Sequence, residues 1–150
     1  MRRVAVSVAT GRVSAVFFED GDLIGWCRSA EAHTCIPKAK AITQRWVAGF
    51  GPDQMLTEDR SSMCRKGPQS QDVTEAIADT FAEADGLDLR VRRVQQYENK
   101  YDEAAALAKR YPAAQSILPS RPPLWLPEPR NMGYFEALSL IAAIDAAPTT

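Results

Sequence analysis

The chain has 150 residues, 45% of them apolar and 25% charged, and carries a net charge of −1. That composition is ordinary for a soluble globular protein with room for a real core, so residues 1–150 are expected to form a single domain. It excludes a globally basic nucleic-acid binder while leaving room for a local basic face, and no apolar run approaches the roughly 18 residues of a membrane span. Met1-Arg2-Arg3 runs directly into a strand pattern, without the apolar core of a signal peptide. Cys27, Cys35 and Cys64 are odd in number and form no CxxC pair, which argues against a disulfide framework and for the reducing cytoplasm. Together with His33 they match no zinc-ligand spacing. The cysteines Cys27 and Cys35 read as small core residues, and His33 as a surface residue ahead of a helix.

Three strands are expected first. Val4, Val6 and Val8 alternate with Ala5, Ser7 and Ala9; a Thr10-Gly11 turn leads to Val13–Phe18; Asp20-Gly21 between apolar runs signals a tight hairpin into Leu23–Cys27. Pro37 suits a first helical position. Ala39, Ile42, Trp46 and Phe50 then recur at helical spacing, with Lys38, Lys40, Thr43 and Arg45 expected mostly in solvent. Gly51-Pro52 ends that helix. Gln54–Thr57 reads as a short buried strand running into Glu58-Asp59, and its place after a helix predicts a parallel addition to the sheet. A loop with Arg60, Arg65 and Lys66 follows. Ser70 or Asp72 is expected to cap the second helix, whose stripe is Val73, Ile77 and Phe81. Leu87–Val94 reads as the fifth strand. Asn99 caps a third helix with Ala104, Leu107 and Ala108 inward, stopped by Pro112. Residues 116–130 hold five prolines and must be loop. Trp125 in that loop is expected to fold back onto the core, the alternative being an interaction surface. Residues 131–146 form a last helix, apolar nearly all round and therefore buried, and the tail from residue 147 is expected to fray.

The predicted class is therefore α/β: a five-stranded mixed sheet, three antiparallel strands and then two parallel ones, flanked by helices. This order is that of the ribonuclease H-like fold. A carboxylate in a buried helix needs a reason. Glu136 stands among Phe135, Leu138 and Leu140, and Glu58 ends the fourth strand, where open sheets with parallel strands gather their sites. Converging carboxylates are what Mg²⁺ requires, and two such ions serve phosphodiester cleavage.

The strand order, the strand ending in Thr57-Glu58, the turn Gly11–Val16 and the helix around Phe135-Glu136-Ala137-Leu138 resemble the RuvC-type Holliday junction resolvases. The likeness covers nearly the whole chain as topology and a few short motifs as residues. It implies that Glu58 and Glu136 are catalytic and metal-binding, with Asp59 as an adjacent metal-binding acid, and that Mg²⁺ or Mn²⁺ would be the cofactor of an active enzyme. It implies that Arg60, Arg65 and Lys66 touch DNA, and that two copies of the chain pair. Two of the four acid positions it calls for hold no acid here: Gly133 in the last helix, and Ser7 or Val8 in the first strand. From the residues alone, Glu58 is otherwise a loop acid paired with Arg60. Glu136 otherwise faces solvent or pairs with Arg130 or an arginine of another element.

Arg90, Arg92 and Arg93 on the fifth strand and Lys38, Lys40 and Arg45 on the first helix are further basic groups that phosphate contacts could use. Three readings are open. The leading one is a binder of branched or structured DNA with a degenerate metal-nuclease site. The second is an active Mg²⁺- or Mn²⁺-dependent endonuclease. The third is a non-catalytic interaction scaffold that binds through the proline-rich loop.

Overall fold

In the computed structural model, which describes residues 1–9, 11–63, 65–93 and 97–146, the chain begins with an antiparallel meander: β1 (Arg2–Ala9), β2 (Arg12–Glu19) and β3 (Asp22–Ser29). Asp20 and Gly21 join β2 to β3 with φ of 51° and 88°, between the paired residues Glu19 and Asp22. Positive φ at both positions gives a two-residue turn whose twist matches the strands, and Asp-Gly adopts it at little cost. Thr10, expected in the first turn, lies outside the described residues, as do Val94, Cys64 and the tail from 147 onward.

α1 (Ile36–Phe50) carries the chain to β4 (Gln54–Glu58), and α2 (Pro68–Glu83) carries it to β5 (Leu87–Val91). β4 pairs parallel with β1, and β5 parallel with β4, so the sheet order is β3-β2-β1-β4-β5. β1 is central and buried on both faces. Val4, Val6 and Val8 pack with Ala39 and Ile42 of α1 and Val73, Ile77 and Phe81 of α2. Ala5 packs on the opposite side with α3 (Lys100–Arg110) and α4 (Met132–Ala146). Three layers result, with β1 as the middle of the middle one.

Several boundaries differ from the sequence expectations. α2 starts at Pro68 with Gly67 as its N-cap, so Ser70 and Asp72 lie inside it; proline at the first helical position needs no amide partner and carries the right φ. Thr43 is buried, because its hydroxyl donates to the Ala39 carbonyl at 2.7 Å and so needs no water. β5 ends at Val91, and Arg92 and Arg93 leave the ladder. After a 3-10 turn at Pro112–Ile117, residues 118–131 have no regular element. Trp125 does not fold back: it is 83% exposed, between Leu124 at 99% and Leu126 at 53%. The flanking prolines hold the backbone in conformations that carry this tip outward.

α4 lies along β1 and is tied to it at both ends. The Ser7 hydroxyl donates to the Gly133 carbonyl at 2.7 Å near one end. At the other, the buried Arg3 guanidinium meets Asp145 through two contacts, at 2.7 and 3.2 Å. Asp145→Ala leaves that guanidinium without its carboxylate and should cost about 2 kcal/mol, measured by urea denaturation. Lys38→Ala, which removes an exposed pair with Glu31, serves as the control and should cost well under 1 kcal/mol.

Candidate functional site

The parallel strands β1, β4 and β5 end at one edge of the sheet, and α4 begins there. Glu58, the last residue of β4, is 5% exposed. Glu136 projects from the second turn of α4 into the same cleft, a space of about 730 Å³ whose walls also include Ser62, Arg65, Lys66, Arg93, Tyr101 and Arg121. Both acids are brought together, as the sequence reading expected, by a strand end and a helix start.

What stands between them is a lysine. The Lys66 ammonium lies 3.3 Å from Glu58 Oε1 and 3.5 Å from Glu136 Oε2, and donates to the Val8 carbonyl at 2.6 Å. The ammonium thus donates to Val8 and Glu136 and pairs by charge with Glu58. Its side chain is 17% exposed. A second cation closes the cluster from β5's end. Arg93 pairs with Glu103 of α3, approaches Glu136 Oε1 at 3.9 Å, and donates to the Ser139 hydroxyl at 2.9 Å. Burial works against its charge, but the carboxylates of Glu103, Glu136 and Glu58 outweigh that and raise its pKa. Ser62 donates to Glu58 Oε2 at 2.9 Å while accepting from the Arg93 amide at 3.1 Å.

The other predicted site residues take no part in this cluster. Asp59 spends its carboxylate on the Ser61 amide at 2.9 Å, which caps the following 3-10 turn and holds the acid below the usual carboxylate range. Arg60 is exposed and faces Asp72 at 3.9 Å. Arg65 lines the cleft. His33 is half-buried against the Ser70 hydroxyl at 3.0 Å.

The two positions without acids have a packing role. Ser7 and Ser14 are direct partners across β1 and β2, and Gly133 sits on that pair. A Cβ at 133 would fall 2.3 Å from the Ser14 hydroxyl oxygen and 3.1 Å from its Cβ. Three small side chains therefore bring α4 close to the sheet, where the resemblance would place two carboxylates. This donor set does not fit a Mg²⁺ or Mn²⁺ ion. Two acids remain, a fixed ammonium lies between them, the Ser62 hydroxyl already donates to Glu58, and Ser7, at the first-strand position, gives its proton to a carbonyl. Among the described residues no three His, Cys, Asp or Glu side chains come together as a metal-holding group; of the weighed zinc set, Cys64 lies outside them.

Three features escaped the sequence reading. Glu103 shares the buried face of α3, detectable from its i, i+4 relation to Leu107. Arg93 was read as part of a polar strand face, whereas β5 stops two residues earlier. Arg12, at the start of β2, faces a smaller cleft of about 320 Å³ on the other side of Lys66; no local pattern marks it.

No protein-family model and no curated protein matches the sequence. Solved structures do match. The fowlpox virus Holliday junction resolvase superposes with a TM-score of 0.63 at 12% identity, over 96% of this chain and 96% of that one. Its complex with Holliday junction DNA matches at 0.61 and 12%, over 95% and 99%. Thermus thermophilus RuvC bound to a Holliday junction matches at 0.58 and 12%, over 93% and 89%.

Gly133→Ala should destabilise the protein by roughly 2–3 kcal/mol through overpacking against Ser14, read as a lower urea midpoint with an unchanged slope. Adding Ser14→Gly should recover part of the loss; no recovery would mean the contact is not the cause. The closeness of α4 to β1 and β2, the strand order and the structural matches converge on one statement: this chain has the ribonuclease H-like fold of the Holliday junction resolvases.

Proposed function

We propose that this protein binds branched or structured DNA without cutting it, on a resolvase fold whose metal-nuclease site has been replaced by an internal salt-bridge cluster. The observation that carries this reading is Lys66 Nζ, seated between Glu58 and Glu136 and tied to the Val8 carbonyl. An ammonium there supplies the positive charge that a divalent ion would supply, but it cannot polarise water or open a coordination position to a phosphate. The alternative of an active endonuclease requires Lys66 to leave. That strips Glu58 of its nearest cation in a buried position, a change worth about 3–5 kcal/mol.

Support for DNA comes from the fold, since two of the similar structures hold Holliday junctions, and from the basic groups Arg65, Lys100 and Arg121 around the larger cleft. The test is a titration onto a labelled four-way junction and a matched linear duplex in Mn²⁺, run on native and denaturing gels. We expect junction binding that weakens steeply with salt, with both DNAs intact on the denaturing gel. Mn²⁺-dependent cleavage that disappears in Glu58→Ala and Glu136→Ala would sink the non-catalytic reading. Absence of binding to either DNA at low salt would sink DNA as the partner.

The exposed Leu124-Trp125-Leu126 tip favours a second reading, a protein-interaction scaffold, because adjacent large apolar groups in water mark interfaces. On that reading association with a protein partner falls at least tenfold in Trp125→Ala, measured by calorimetry, while DNA plays no part.

A further inference from the structure

The smaller cleft lies on the β1–β2 side of Lys66, and its charges are not balanced. Arg12, Arg65, Gly67, Ser70, Glu128 and Glu136 line it. Both carboxylates are already engaged with other cations: Glu136 with Lys66, which also lines this cleft, and with Arg93, and Glu128 with Lys100 at 2.8 Å. Among the described residues the side chains of Arg12 and Arg65 have neither an ion pair nor a hydrogen bond. Arg12 Nε is moreover shut off from solvent with no acceptor. A buried donor of a charged group left unpaired is costly, and a protein of net charge −1 has carboxylates to spare. α2 also begins on this wall, at Gly67 and Pro68. The amides of its first turn have no helical partner, and its dipole favours an anion there. Two guanidinium groups without a protein partner, together with a helix start on the same wall, call for a tetrahedral oxyanion.

We propose that Arg12 and Arg65 form a phosphate-binding subsite, which takes a backbone phosphodiester of the DNA that crosses the sheet edge over Lys66. The larger cleft on the other side, with Lys100 and Arg121, would then take the same strand further along. The proposal rests on the DNA-binding reading above, and its ligand chemistry can be checked apart from it.

The experiment uses the full chain with Arg12→Gln, Arg12→Lys and Arg65→Gln, titrated onto the four-way junction across a sodium chloride series. Arg12→Gln and Arg65→Gln should each weaken binding several-fold and lower the slope of log K against log salt by about 0.9, one phosphate contact. Arg12→Lys should keep most of the slope, since the charge remains. The melting temperature of Arg12→Gln should not fall, because the arginine has no protein partner to lose. Wild-type affinity and slope in Arg12→Gln would overturn the subsite while leaving the DNA reading intact, and a lowered melting temperature with an unchanged slope would make Arg12 a structural residue only. Should the wild type bind no DNA, the DNA reading fails and inorganic phosphate decides the subsite. Thermal stabilisation by phosphate over chloride of equal ionic strength, lost in Arg12→Gln, would keep the subsite and assign it to a free phosphate compound. No stabilisation would overturn it.

Discussion

The close approach of α4 to the β1–β2 ladder governs the rest of the molecule. Ser7, Ser14 and Gly133 are small enough to let helix and sheet backbones come together, and the Ser7 hydroxyl fixes the distance by donating to the Gly133 carbonyl. Helix and strand also share the Arg3–Asp145 contact at the opposite end. With its axis pinned twice, α4 delivers Glu136 to the sheet edge at a fixed height, opposite Glu58. It also leaves no room for a longer side chain at 133. One packing constraint thus sets where the remaining acids stand and removes the place where others would be.

Two carboxylates held near each other in a half-dry cleft need positive charge, because neither can be left unpaired without a large desolvation cost. The chain meets that need from within. Lys66 comes from the loop after β4, and Arg93 from the end of β5. Each spans two or more elements: Lys66 links β1, β4 and α4, and Arg93 links α3 and α4. The cluster works as a joint at the sheet edge. Other arginines at this edge take no part in the cluster. Arg12 stands on one side of it, Arg65 in the walls of both clefts, and Arg121, stacked over Tyr101 at 5.8 Å, on the other side.

The proline-rich segment runs past both clefts. Arg121 on Tyr101 and Glu128 on Lys100 secure it near its two ends. Between those anchors the prolines prevent collapse onto the core, and the apolar tip at 124–126 is left in water. The sequence expectation for Trp125 failed here because it weighed hydrophobicity alone. A large apolar side chain is buried only if its backbone can bring it to the core, and five prolines within residues 116–130 restrict the backbone.

Strand order, the tight Asp20-Gly21 turn, the parallel crossovers and the burial of α4 were legible because each follows from local spacing: period two, helical stripes, or a turn dipeptide. Glu58 and Glu136 were legible for the same reason, as charged residues in apolar surroundings at a strand end and in a helix. The cap of α2 was misplaced because Pro68 outcompetes Ser70 and Asp72, a choice among neighbours that pattern alone does not rank. The contents of the site were beyond the sequence. Lys66 read as a loop cation and Arg93 as a strand residue, and nothing local says that both turn inward, or that Arg12 faces a cleft whose two acids pair with other cations. The sequence by itself determined the elements and their order, because propensity and periodicity act over a few residues. Only the tertiary structure decided which charges meet, because that depends on side chains far apart in sequence converging on one sheet edge, as Lys66 does with Val8, 58 positions away, and with Glu136, 70 positions away.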